Sequence, residues 1–258
     1  MKMRFLFRPI PLVLAGALAI SVAAPCQQSQ LPDAPQPEGG PSDAATVRNT
    51  PRNILKDQEA IWTSPAHLNG SNALGSVALV LATAVLATTD HQVMTSHFQD
   101  KSLNDHASTA STGLTGLFIG VPALLFGVGE LRHSDQAAET GIMGGEAIVD
   151  SLAVNEVMKG ISLRERPSVD NARGKFFQTS VGMNSSFPSN HAVVAWSSAA
   201  VLASEYPGAL TQITVYGLAT GVSLTRVMAR EHFPSDVLVG SAVGWMIGRY
   251  VYHRHQRY

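Results

Sequence analysis

The chain of 258 residues contains a single cysteine, Cys26. An internal disulfide is therefore excluded, and so is a metal cluster held by several thiolates. Charge is scarce. Asp, Glu, Lys and Arg make up 14% of the residues, against about a quarter in a typical soluble protein. The net charge of −1 leaves no basic footprint of the kind that nucleic acid requires. Nine histidines are present, but none stands in a zinc spacing such as His-Glu-x-x-His. Runs that alternate with a period of two are few, so little sheet is expected, and no internal repeat is evident. The mean hydropathy of +0.09 lies between that of a soluble protein and that of a polytopic membrane protein.

Met1 to Ala24 has the pattern of an export signal or N-terminal anchor. Lys2, Arg4 and Arg8 make a basic start, Ile10 to Val22 is an apolar run short for a spanning helix, and Val22-Ala23-Ala24 offers small residues for cleavage. A lipoprotein reading of Cys26 is opposed by Pro25 directly before it. Residues 25–52 are a linker rich in Pro and Gln, expected to be disordered because it holds too few apolar residues for a core.

Residues 53–258 read as one helical domain. Asn53 to Trp62 is a short amphipathic piece ended by Ser64-Pro65. Six longer helices follow: Asn72 to Thr89, Thr109 to Val128, Ala137 to Met158, His191 to Glu205, Ala209 to Thr225 and Ser235 to Tyr252. The fold class is thus all-α, a bundle of about six core helices. In the second of these, Gly113, Gly116 and Gly120 are expected to permit close packing, and Pro122 to kink the helix. In the sixth, Gly240, Gly244 and Gly248 share one face and let a neighbour approach. Asp90 and His91 fall at the end of the first long helix, with His97 and His106 in a polar loop after it. All four read as solvated helix-end groups, with a substrate-facing role as the other reading.

Three clusters carry chemistry. The first is Lys159 with Arg166-Pro167, where Pro167 holds Arg166 in extended chain. Alone, Lys159 fits a cation at a helix C-terminus equally well. The second is Pro188-Ser189-Asn190-His191 at a helix start, where Ser189 or Asn190 is a natural N-cap and free N–H groups favour an anion. The third is Arg226, His232 and Asp236. Arginine suits phosphate, and a histidine beside a carboxylate suits a nucleophile or a base. By itself the His–Asp pair also fits a helix-start hydrogen bond.

Together the clusters resemble the three signature motifs of the type 2 phosphatidic acid phosphatase and vanadium haloperoxidase superfamily. That pattern is Lys, six residues, Arg-Pro; then Pro-Ser-Gly-His; then Ser-Arg, five residues, His, three residues, Asp. Lys159, Arg166 and Pro167 match the first motif in full. Pro188, Ser189 and His191 match the second, with Asn190 in place of glycine. Arg226, His232 and Asp236 match the third, with Thr225 in place of serine. The likeness runs from Met158 to about Tyr250.

The resemblance implies an active site at one end of the bundle and a metal-independent phosphatase acting through a phosphohistidine. His232 would be the nucleophile, Asp236 its orienting carboxylate and His191 the general acid and base. Lys159, Arg166, Ser189, Asn190 and Arg226 would bind the phosphate, with no metal and no cofactor. Arg230 and Glu231, between the motif residues, read as part of a solvated loop, with lining of the pocket as the other reading. The substrate would be a phosphorylated small molecule or lipid, with the domain periplasmic or associated with the membrane of the cell envelope. Two other readings stand beside this one: a vanadate-dependent haloperoxidase with vanadate on His232, and a non-catalytic envelope protein. Parity constrains topology. Six full spans and a cleaved N-terminal signal cannot both hold if the site faces outward.

Overall fold

A computed structural model describes residues 44–64 and 70–256. The expected signal and most of the expected linker lie outside the described residues. The described chain includes the last part of that linker, where Ala45 is buried and its N–H donates to the His255 carbonyl.

Seven α-helices follow: α1 Thr50–Thr63, α2 Gly70–Ser96, α3 Lys101–Arg132, α4 Asp135–Ser162, α5 Asn190–Glu205, α6 Ala209–Met228 and α7 Pro234–His255. No strand occurs among the described residues. The all-α expectation holds. The short expected piece is α1 and the six expected helices are α2 to α7, several of them longer than the apolar pattern alone marks out. α2 continues past Asp90 and His91 because polar residues extend a helix freely when a neighbour receives them. Asp90 is buried rather than solvated. α3 begins at Lys101, not Thr109. Asp100 caps it, its Oδ1 accepting from the N–H groups of Ser102 at 2.8 Å and Leu103 at 3.3 Å. His106 therefore lies in the helix and not in a loop.

Short connections join α2 to α3, α3 to α4, α5 to α6 and α6 to α7, so consecutive helices run antiparallel. One end of the bundle accordingly gathers the C-termini of α2, α4 and α6 with the N-termini of α3, α5 and α7. The longest connection, residues 163–189, lies at that end and contains two short 3-10 turns.

The most extensive helix pair is α5 with α7. Its physical basis is the glycine row on α7. A Cβ on Gly240 would stand 2.8 Å from the Ser189 carbonyl oxygen, and Cβ atoms on Gly244 and Gly248 would overlap the Val193 and Ser197 carbonyls. The row thus packs on the backbone of α5, as its spacing foretells. The corresponding expectation for α3 fails. Gly113, Gly116 and Gly120 face open space, and the helix runs through Pro122 as one element. Close contact between α3 and α4 is instead made by Gly141 and Gly144 of α4, which receive Pro122.

At the far end, α1 lies on α4 through polar contacts. Asn53 donates to Glu146 Oε1 at 3.3 Å, and Gln58 donates to Asp150 Oδ1 at 2.9 Å. Asp57 accepts from Tyr250 and pairs with His255 at 2.6 Å. On α2 and α3 the outward faces are apolar: Leu74, Val77, Leu81 and Val85, then Leu117, Ile119, Leu124 and Leu131, are all exposed. Two helices, Leu74–Ser96 and Lys101–Arg132, are long and apolar enough to cross a membrane.

Candidate active site

The three clusters meet at the gathered end. α4 stops where Leu163 takes a left-handed φ of 41°, which turns the chain back over the helix end. Lys159, one turn earlier, is buried, and its Nζ donates to the Ser185 carbonyl at 2.5 Å. Arg166 donates from Nε to Asn184 Oδ1 at 3.1 Å, and from Nη1 to Glu231 Oε2 at 2.8 Å and the Glu231 carbonyl at 3.2 Å.

Ser189 is the N-cap of α5. Its Oγ accepts from the Ala192 N–H at 3.5 Å, and its own N–H donates to the Asp236 carbonyl at 3.2 Å. The next N–H groups, of Asn190 and His191, have no acceptor among the described residues. They present the positive end of the helix. The Asn190 side chain turns away to α4, where Nδ2 donates to Glu156 Oε1 at 2.8 Å and Oδ1 accepts from Asn155. Asparagine at this position therefore joins two helices.

His232 is buried, and its Nδ1 lies 2.7 Å from the Ser186 carbonyl oxygen. A carbonyl only accepts, so Nδ1 carries the proton and Nε2 keeps the lone pair in the neutral ring. The expected direct orientation by Asp236 is not what the geometry has. Asp236 Oδ2 is 3.7 Å from Nδ1, an electrostatic contact and not a hydrogen bond. That oxygen instead accepts from the Phe233 N–H at 2.8 Å and from Ser186 Oγ at 2.5 Å. Asp236 is thus a cap within the first turn of α7. It also fixes Ser186, whose carbonyl holds the histidine. Arg226, on the last turn of α6, donates from Nη1 to Ser111 Oγ of α3 at 3.1 Å, while its buried Nε has no partner among the described residues.

Several residues at the site had no motif to announce them. Arg164 is buried and joins three elements: Nη2 pairs with Asp90 at 2.7 Å, Nη1 with Asp236 at 2.5 Å, and Nη1 also donates to Ser235 at 2.7 Å. Its guanidinium lies over the rings of Phe176 and Phe233. Asp90 also accepts from Ser235. A pattern of apolar runs cannot reveal a polar residue inside a helix whose partners lie 74 and 145 positions away. The loop expected to be solvated is also engaged. Arg230, at a φ of 57°, donates to the Met94 carbonyl at 2.5 Å, and Glu231 lies 3.5 Å from Arg226 Nη2 in addition to its contacts with Arg166. Of the remaining histidines, His91 reaches the Ala172 carbonyl at 3.2 Å, while His97 and His106 bond only within their own segments.

The electrostatics follow from this arrangement. Burial lowers the His191 pKa from its ordinary value to about 4, and the charges of Arg226, His232, Arg166 and Lys159 push the same way. Burial, then Arg166, lowers Lys159 to about 8, with Glu156 and Asp236 opposing. Burial lowers His232, and the nearby Asp236 carboxylate opposes it. Four groups that oppose a proton on His191 thus lie around it.

The model of the PAP2 superfamily matches residues 142–258. No curated protein matches the chain. Among solved structures, the chain is similar to a transmembrane PAP2-type phosphatidylglycerolphosphate phosphatase from Bacillus subtilis. The identity is 20%, the TM-score is 0.48, and the match covers 68% of this chain and 92% of that one. All eight residues expected at the site lie within the matched segment, from Lys159 to Asp236. Asp90 and Ser111 reach the site from α2 and α3, upstream of the matched segment.

Proposed function

We propose that this PAP2 protein hydrolyses a phosphate monoester or lipid (di)phosphate through a phosphohistidine on His232. The observation that carries this reading is the His232 tautomer. Nδ1–H held by the Ser186 carbonyl leaves Nε2 as the nucleophilic nitrogen, beside Arg166 and Arg226, whose charges act on its titration.

In this reading Lys159, Arg166 and Arg226 take the phosphoryl oxygens, and the Asn190 N–H adds a bond at the helix start. Together they supply the positive charge that divalent ions supply in other phosphoryl-transfer sites, so the reaction as proposed uses no metal. Nε2 of His232 attacks phosphorus, and the bond to the ester oxygen breaks. His191 protonates that oxygen as it leaves. In the free pocket His191 holds its proton only below a pH of about 4. A bound phosphate dianion offsets the surrounding cations and restores its affinity for a proton. In the second step neutral His191 takes a proton from water, the water oxygen attacks phosphorus and the P–N bond breaks. Inorganic phosphate leaves.

The exposed apolar faces of α2 and α3 favour a substrate whose phosphate is attached to a lipid. The enzyme is accordingly proposed to work at a membrane, with its site towards the outer side.

The test is His232→Ala. Phosphate release should fall at least about a thousandfold, and acid-labile label from a 32P-substrate should vanish from the protein, with helix content unchanged by circular dichroism. A variant that still turns over at the wild-type rate would sink the mechanism.

A further inference from the structure

We infer that Glu231 is an internal anion that holds the two arginines of the pocket in the empty enzyme and is displaced by substrate. The inference rests on the reading of this pocket as a phosphate site.

Glu231 Oε2 is 2.8 Å from Arg166 Nη1 and 3.5 Å from Arg226 Nη2. One carboxylate oxygen therefore lies between two guanidinium groups that belong to different motifs and different parts of the fold. A phosphoryl oxygen shared by the two arginines would compete for that position. The arginines are the fixed partners of this contact. The Arg226 side chain is 7% exposed and anchored to Ser111, and Arg166 is anchored to Asn184. The Glu231 side chain is 39% exposed and bonds to nothing else among the described contacts. When one partner must yield, it is the carboxylate that can swing into solvent.

The contact is also incomplete. Arg226 keeps a buried Nε with no acceptor, and an arginine offers its donors as a fork that suits two oxygens. A single carboxylate oxygen at 3.5 Å does not fill that fork. A phosphate monoester carries three terminal oxygens and up to two negative charges, so it can satisfy donors that Glu231 leaves empty. The backbone supports an occupant that stays near. The Glu231 N–H donates to the Arg226 carbonyl at 3.2 Å, and Arg166 holds the Glu231 carbonyl at 3.2 Å. The loop stays in place while the side chain exchanges. Glu231 thereby keeps two cations paired while the pocket is empty and sets the affinity that a ligand must exceed to enter.

A purely supporting role for Glu231 makes the opposite prediction, because loss of a support misplaces the arginines and weakens binding. The experiment uses the purified full chain in detergent, wild type against Glu231→Gln and Glu231→Ala. Binding of inorganic phosphate is followed by calorimetry, and phosphomonoester hydrolysis gives KM and kcat. Both variants should bind inorganic phosphate about tenfold more tightly, the order expected for removing one charge-assisted competitor. KM should fall without a rise in kcat. Unchanged or weaker phosphate binding in both variants overturns the inference. If wild type hydrolyses esters and neither variant binds more tightly, only the gate fails. If both variants bind more tightly but no protein releases phosphate from any ester, the gate stands and the phosphatase reading fails. If no protein binds phosphate, both fail.

Discussion

The hydrogen bond that decides the most at the residue scale is from His232 Nδ1 to the Ser186 carbonyl. It selects the tautomer without spending a carboxylate on the task. Asp236 is thereby free to accept from Phe233, Ser186 and Arg164. Arg164 in turn bridges Asp236 and Asp90 in a site almost closed to water. Removing such a cation would leave two buried carboxylates uncompensated, a change that costs about 3–5 kcal/mol in comparable buried pairs. Lys159 supplies a pH prediction. Its pKa is lowered to about 8, chiefly by burial and then by Arg166. Its charge is present below that value and lost as the pH rises through it. Inorganic phosphate should therefore bind less tightly above a pH of about 8, by at most about tenfold per unit. In Lys159→Arg the decline should disappear, since arginine stays protonated. Calorimetric titration from pH 6 to 10 reads both, and a flat wild-type profile would contradict the assignment of Lys159 to the anion pocket.

Helix pairing is what joins two of the motifs. The second opens α5 and the third opens α7, and the glycine row on α7 brings the two backbones together. The Ser189 N–H then reaches the Asp236 carbonyl. A side chain at Gly244 would meet the Val193 carbonyl, which cannot rotate aside. Gly244→Val should therefore force α5 and α7 apart. A loss of about 1–3 kcal/mol is expected for overpacking of this kind, together with a lower kcat as His191 and His232 separate. Thermal unfolding followed by circular dichroism checks the first, and steady-state kinetics the second. A variant with unchanged Tm and kcat would show that the close approach is dispensable.

For the whole molecule, the antiparallel run of helices has a topological consequence. The connection between α2 and α3 lies at the site end: Asp90 pairs with Arg164, and Arg230 reaches the Met94 carbonyl. The connection between α3 and α4 lies at the other. With α2 and α3 crossing the membrane and the site facing outward, the residue before α2 stays on the inner side. Cys26 is the one native cysteine, so a Cys26→Ser background allows single-cysteine mapping. Lys101→Cys and Ser168→Cys should react with a membrane-impermeant maleimide added to intact cells, and Ser134→Cys should react only after lysis. All three positions are exposed. Equal labelling of all three would show that the pair does not cross, and the inverse pattern would place the site on the inner side.

The amino-acid sequence by itself determined the helical class, the order of the seven described helices and the glycine row that packs α7, and its motifs marked the eight residues that the fold brings to one end. These were legible because helix periodicity and short motifs are local: each depends on residues within a few turns of one another. Tertiary structure alone decided three things. It buried Asp90 against Arg164, it moved the histidine's acceptor from Asp236 to the Ser186 carbonyl, and it laid Glu231 between Arg166 and Arg226. Each of these depends on where a polar atom lies relative to chain many residues away, and on how much water the intervening packing removes. Neither quantity has a local signature. A charged residue written between two motif positions reads the same whether it faces solvent or fills a pocket, and only the fold distinguishes them.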